Sequence, residues 1–436
     1  MKYSVQIMVP ILISVMIFCG CISETVEEEI SSQPLDNCET GTLVSFEPIV
    51  EEDNTQSVIA NVRVLNLNST TETLVFTEPL KGTFSFLQSS CKLNCTHTIF
   101  KTDNFTAPLR LDAADFDGDG NNEFIVSDIG ILPPSDEKFG KVLILKINNT
   151  SIYQESIAIQ DVGRVTCAEA ADFDSDQDLD LTLCEFGNEG GSVGWIENLG
   201  DGNWTRHILE SKPGTIEATP VDMDGDGDLD IVAIISQLSE QIVIYWNDGY
   251  GNFTSEILFN AETTYFGMSG INVVDLEGDG DQDILFTNGD VLDGDFPGDE
   301  NVWDYHGLSL LDNLGNGDFE YQRLMAFSGA YDSALFDIDG DYVDEIVVVG
   351  FNPGFGHSLD FGNQPNIAWL DYDNGDWNRV FPDNNLEIPL ISLEVMDLDG
   401  DGLEDLIAAN HDLANSSAVS KLISISADIT ETCLEV

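Results

Sequence analysis

Positive charge is what this chain has least of. Its 436 residues carry 15 lysines and arginines against 80 aspartates and glutamates, a formal charge of −65. A surface of that sign repels phosphate, which excludes nucleic acid as a partner. Histidine is scarce as well. The five (His97, His207, His306, His357 and His411) fall at no zinc-ligand spacing, and no His-Glu-x-x-His occurs. No glycine motif for phosphate or dinucleotide is present, and apolar residues nowhere recur with helical periodicity. The stretch 190–194 reads Gly-Gly-Ser-Val-Gly. A nucleophile elbow of that pattern needs a strand, a sharp turn and a helix, and here it runs into a strand-like segment instead. What is left is a chain with an ordinary apolar content of 42%, long enough to bury a large core.

Aspartate is abundant, and it is ordered. Six stretches share the template Asp-x-Asp-x-Asp-x-x-x-acid, and their starts lie 50 to 62 residues apart. The first holds Asp115, Asp117, Asp119, Asn121 and Glu123, and the second Asp172, Asp174, Asp176, Asp178 and Asp180. Asp222, Asp224, Asp226, Asp228 and Asp230 form the third, and Asp275, Glu277, Asp279, Asp281 and Asp283 the fourth. Asp337, Asp339, Asp341, Val343 and Glu345 make the fifth, and Asp397, Asp399, Asp401, Leu403 and Asp405 the sixth. In a tight curl, alternate carboxylates converge on one point. Positions one, three, five and nine then offer carboxylates. Position seven offers its backbone carbonyl, because Val343 and Leu403 have no side-chain oxygen. An all-oxygen set with room for water and a bidentate closing acid suits Ca²⁺ better than Mg²⁺ or zinc. Position six favours glycine, for a left-handed turn. Gln177 and Tyr342 stand there in two loops, so the sites at Asp172 and Asp337 are expected to be the weakest of the six. The competing view, a set of solvated acidic turns, applies best to those two. Six divalent cations would cancel only a small part of the charge.

Each loop lies between a short apolar strand and a β-branched one, such as 231–234 or 346–349. A third strand with an aromatic follows, then an Asn-x-Gly-x-Gly-x-aromatic hairpin at 198–204, 247–253 and 313–319. Four antiparallel strands in about 55 residues make one blade of a β-propeller. The loop and the hairpin together resemble the FG-GAP/VCBS repeat of integrin alpha-subunit propellers and microbial surface proteins, over roughly residues 106 to 426. The resemblance implies an all-β, calcium-stabilised β-propeller, usually of seven blades with four antiparallel strands each, six of them carrying calcium loops. Six blades is the alternative. Residues 41–105 have no acidic loop and are assigned to an irregular seventh blade, with closure by C-terminal residues as an option, within a propeller spanning 41–436. Six cysteines follow Cys21. Cys167 and Cys184 flank one loop on strands expected to be neighbours. Cys38 and Cys433, near opposite chain ends, are hypothesised to lock the ring, which a non-reducing peptide map lacking that link would refute.

The N-terminus reads as an export segment. Lys2 and an apolar run over 5–18 lead to Phe18-Cys19-Gly20-Cys21. The run is short for a membrane span. It resembles a lipoprotein signal over 1–21, with Cys21 lipidated and an acidic tether over 22–40. A lipid-anchored position on the outer face of the cell membrane is therefore expected, with plain secretion as the alternative. Eight N-glycosylation sequons, among them Asn203 and Asn252, agree with export.

Two places suit a ligand. One is the rim opposite the calcium loops, where the connections vary in length. The longest, 288–307, carries Asp290, Asp293, Asp295 and His306. The other is the central channel, lined by residues three and five before each loop, including Arg110, Cys167, Glu169, Glu217, Asp332 and Glu394. The expected function is a non-catalytic surface scaffold for adhesion or binding, with an extracellular glycan or protein as partner. A polysaccharide-degrading enzyme, as in lyases with similar repeats, is the alternative, and a structural envelope component is the third.

Overall fold

The computed structural model describes residues 38–51, 59–68, 71–87, 95, 97–148, 151–290, 305–315, 317–351, 366–373, 376–383, 389–410 and 421–433. Every helix or strand among them is a strand. No described helix is long and apolar enough to cross a membrane. The strands form seven separate sheets, so the ring has seven blades and not six. Blades one to six span 61–100, 108–162, 165–210, 215–260, 268–326 and 330–380. In each, consecutive strands pair antiparallel from the axis outward. The inner strand of blade three is split into Val165–Cys167 and Ala170–Ala171. The export segment, Cys21 and most of the tether lie outside the described residues.

In blades two to six the second strand is buried along its whole length, as in Asp230–Ser236 and Glu345–Gly350. Both of its faces meet a neighbouring blade, which is why these strands read as continuous β-branched runs rather than as alternating ones. Ile231, Ala233 and Ile235 pack toward blade three, while Val232 and Ile234 pack toward blade five. Seven apolar clusters fill the seven gaps between blades, and each takes its side chains from two adjacent sheets.

The last blade is built from both ends of the described chain. Its first three strands are Leu390–Met396, Asp405–Asn410 and Lys421–Cys433, and its outer strand is Cys38–Glu51. The pairing of the two terminal strands sets Cys38 opposite Cys433. Residues 41–105 are thus not one blade, which corrects the sequence expectation. The stretch 41–51 completes blade seven, and 61–100 alone is blade one. The cysteines near the two chain ends hinted at a closure by both termini, but no acidic loop marked where blade one begins. Closing the ring this way covers the apolar cluster of Ile49, Ile59, Phe76 and Ile407 between blades seven and one. The expected Cys167–Cys184 disulfide is present, with Cα atoms 5.1 Å apart.

The inner strands of blades two to seven carry a register shift at the same place, for example between Thr215 and Glu217 and between Ala330 and Asp332. The residue skipped by the pairing, such as Ile216 or Tyr331, lies against the axial cavity. The bulge twists the strand end and re-aims its side chains. Cys167, expected on the channel, lies instead in the core between blades three and four, bonded to Cys184, in the one blade whose inner strand is interrupted.

Candidate functional site

All six acidic loops join the first and second strands of their blades and share one hydrogen-bond pattern. The carboxylate at position one accepts the amide of position six, at 2.9 to 3.1 Å. Position five accepts the amide of position seven, at 2.8 to 3.0 Å. The closing acid accepts the amide of position two, at 2.8 to 3.1 Å. The turn is therefore tied by its own carboxylates, and the chain curls as the spacing requires. Asp180, Asp230 and Asp283 each also accept, at 2.8 Å, the amide of the asparagine that ends the third strand. Each of their oxygens thus holds a backbone amide, with a lone pair to spare.

Carboxylates at positions one, three and nine converge in at least four loops, with one oxygen each lying within 4.8 Å of the others: Asp115, Asp117 and Glu123; Asp172, Asp174 and Asp180; Asp222, Asp224 and Asp230; Asp337, Asp339 and Glu345. The side chain at position seven differs between loops: Asn121 donates to Asp119 at 2.9 Å, while Asp228 and Asp281 lie against the hairpin that follows the third strand. A methyl at the hairpin Gly249 would lie 2.4 Å from Oδ2 of Asp228, and one at Gly315 would lie 3.0 Å from Oδ2 of Asp281. In the Asp275 loop the converging acids are Glu277, Asp283 and Asp312. Asp312 belongs to the third strand, which a search along the loop template does not reach.

The donors fit a hard divalent cation. Asp172 Oδ1, Asp222 Oδ1 and Glu345 Oε1 are buried without a hydrogen-bond partner, an arrangement that costs free energy unless a cation meets it. Without a counter-ion, burial and then neighbouring acids push Asp180 and Glu345 up to about 7 and Asp230 up to about 6. Burial and then Asp283 take Glu277 to about 7. A bound Ca²⁺ would be held by these carboxylates and would supply the charge that lets them all ionise.

Two positions per loop are left-handed, not one. Position six has φ of 88° to 101° at Gly120, Gly227, Gly280 and Gly402, and it keeps φ 78° at Gln177 and 72° at Tyr342. Position four is left-handed too, with φ 61° at Ser175. An added Cβ at Gly120, Gly227 or Gly402 would touch nothing within 4 Å, so the cost of a side chain there is one of backbone conformation. Tyr342 is 91% exposed and loses little packing when removed. Tyr342→Gly is expected to stabilise the protein by about 1 kcal/mol, the left-handed strain less the added chain entropy of glycine, and to tighten calcium binding at that loop. Denaturant midpoints of the two proteins check this, and a lower midpoint in the variant would refute it.

On the axis lies a cavity of about 770 Å³. Its wall is the seven inner strands. Its mouth is formed by second-to-third strand connections carrying Leu80, Ile129, Leu132, Phe186, Asp290 and Phe351, at the end away from the acidic loops. Inside, Arg63 lies 3.6 Å from Glu169 and 3.7 Å from Glu394, and Arg110 lies 2.7 Å from Glu217. Asp332 accepts the amide of Leu393 at 2.9 Å, and Asp112 that of Ala170 at 3.0 Å. Burial lifts Glu169, Asp332 and Glu394 to about 7 against the pull of the arginines. Burial by itself would lower Arg63, but Glu169 and Glu394 raise it overall. At the mouth Arg164 sits 5.1 Å over the Phe186 ring and donates to the carbonyls of Ile131 and Leu132. Glu169, Glu217, Asp332 and Glu394 were legible by counting back from the loops. Arg63 was not, because blade one has no loop to count from.

The rim expectation needs correction. His306 is fully buried, and burial pushes its imidazole down to about 4. Its carbonyl accepts from Arg323 at 2.6 Å. It faces the interior because it directly precedes the buried third strand Gly307–Asn313. Asp290 is half-buried and lines the cavity mouth, while Asp293 and Asp295 lie outside the described residues. Ser192 of the Gly-Gly-Ser-Val-Gly stretch opens a strand and accepts a bond from Arg206 at 3.1 Å.

The model of the FG-GAP-like repeat matches residues 172–233 and 222–286, two successive loop-and-blade units in the ring. The chain thus carries FG-GAP-like repeats within a seven-bladed β-propeller. No curated protein matches it. Among solved structures this propeller is similar to BBS1N in its complex with ARL6DN (TM-score 0.47, 10% identity, 87% of this chain and 95% of that one). It is similar to Sqt1 of Saccharomyces cerevisiae (0.48, 11%, 88% and 100%). It is also similar to the polysaccharide lyase Uly1 (0.46, 10%, 89% and 99%).

Proposed function

We propose that this propeller is a calcium-stabilised, non-catalytic binding scaffold on the outer face of a cell, lipid-anchored through Cys21, that presents its axial cavity to an extracellular glycan or protein. The division of labour between its two ends carries this reading. Carboxylate loops suited to cations occupy one rim. A concave site with arginines, carboxylates and an aromatic-apolar mouth opens on the other, the usual composition of a ligand pocket. Binding to arrays of glycans and surface proteins in millimolar calcium tests it. Leu80→Arg, at an exposed position of the mouth, and Phe186→Ala are expected to weaken capture by about tenfold or more. Tyr342→Gly, at the opposite rim, is expected to leave capture intact. Equal capture by all three proteins would sink the assignment of the mouth.

A second reading rests on the lifted carboxyls of Glu169, Asp332 and Glu394. Acids poised near neutrality beside an arginine suit general acid–base work on a polysaccharide. Release of unsaturated sugar ends from a polyuronide would favour that enzyme over the scaffold.

A further inference from the structure

The second blade departs from the others at one place. We propose that the Asp115 loop takes no calcium because the ammonium of Lys146 stands where the ion would sit. This rests on the calcium reading only for the remaining loops. Lys146 Nζ donates to Asp117 Oδ2 and lies 3.2 Å from Glu123 Oε1. Asp117 and Glu123 are two of the three acids that converge there. A calcium ion bonded to the same oxygens, at about 2.3–2.6 Å, would be pressed against a like charge. The ammonium brings donors of its own to those carboxylates.

The place is set by the fold. Phe124 pairs with Leu145 on the third strand, and Lys146 follows it beside Glu123. The equivalent pairings elsewhere put Glu197, Trp246, Asp312, Asp371 and Ser426 next in line. Three of these add a carboxylate to their loop: Glu197 acts on Asp174, Asp312 on Glu277 and Asp371 on Asp339. Trp246 turns its indole N–H to Glu256. Lysine stands at this position in blade two alone, so one third-strand residue decides between an added ligand and an internal cation. The choice falls where the loop also holds blade one. Asn122 donates to the carbonyls of Leu67 and Asn66, each at 2.9 Å. Blade one has no acidic loop of its own, and the arrangement leaves its joint to blade two independent of calcium.

The test compares the full-length protein with Lys146→Gln and Lys146→Arg. In a calcium titration read by native mass spectrometry, Lys146→Gln is expected to take up one more ion per chain than the wild type, and Lys146→Arg no more. In chelator, hydrogen exchange at Phe116, Asp119, Gly120 and Asn121 is expected to be slow in the wild type and in Lys146→Arg. It should be about tenfold faster in Lys146→Gln, with the Asp222 loop unchanged. Equal, non-zero ion counts in wild type and Lys146→Gln overturn the proposal. Zero counts in both sink the calcium reading instead, and unaccelerated exchange in Lys146→Gln then overturns the role of the lysine.

Discussion

Chelation near neutral pH is expected to lower the melting temperature by more than about 10 °C. Each occupied loop adds about 2.7 kcal/mol when calcium is a hundredfold above its dissociation constant. For a chain of this length that amounts to about 3 °C per loop. The effect comes from what the loops hold. Their closing acids begin the fully buried second strands, so unbalanced charge there acts on the core and not on a free turn. Removing the ions leaves Asp172 Oδ1, Asp222 Oδ1 and Glu345 Oε1 buried and unmet. Calorimetry with and without chelator measures the loss, and magnesium at equal concentration should restore less of it. An unchanged transition would mean that the carboxylates are held by the backbone alone.

The second large effect is an inverted dependence on pH. A carboxyl whose value in the folded state lies above its ordinary one favours folding while it is protonated. That stability is complete below about pH 4 and is lost as pH rises through the folded value. Asp180, Glu345 and Glu277 in the loops sit near 7, as do Glu169, Asp332 and Glu394 on the axis. In chelator the protein should therefore become less stable between about pH 5 and pH 8, by about 1 kcal/mol for each such group after allowing for solvent screening. Calcium needs the loop acids ionised, so its affinity should rise over the same interval. The gap between melting curves with and without calcium is expected to be wide at about pH 8 and narrow at about pH 5. A gap that stays constant across the range would show that the loop carboxylates are already ionised without the ion.

The blades with acidic loops could be read from the chain because the information is local. An Asp-x-Asp-x-Asp turn, a β-branched run and a glycine hairpin sit within one blade, and covering both faces of each sheet follows from the apolar pattern. The left-handed turn at Gln177 and Tyr342 was legible for the same reason, since φ is a property of one residue and its neighbours. Blade one was not. Its inner strand Asn61–Asn68 and the turn after it carry no acid template, and the outer strand of blade seven comes from the far end of the chain.

The amino-acid sequence by itself determined the repeat, the all-β class, the candidate calcium loops and the acidic character that turns phosphate away, because spacing and composition act within a blade. Only the tertiary structure decided that His306 is a core residue, that Arg63 joins Glu169 and Glu394 across the axis, and that Lys146 or Asp312 enters a loop from another strand. Those contacts depend on register and ring closure, which join residues that sequence distance keeps apart.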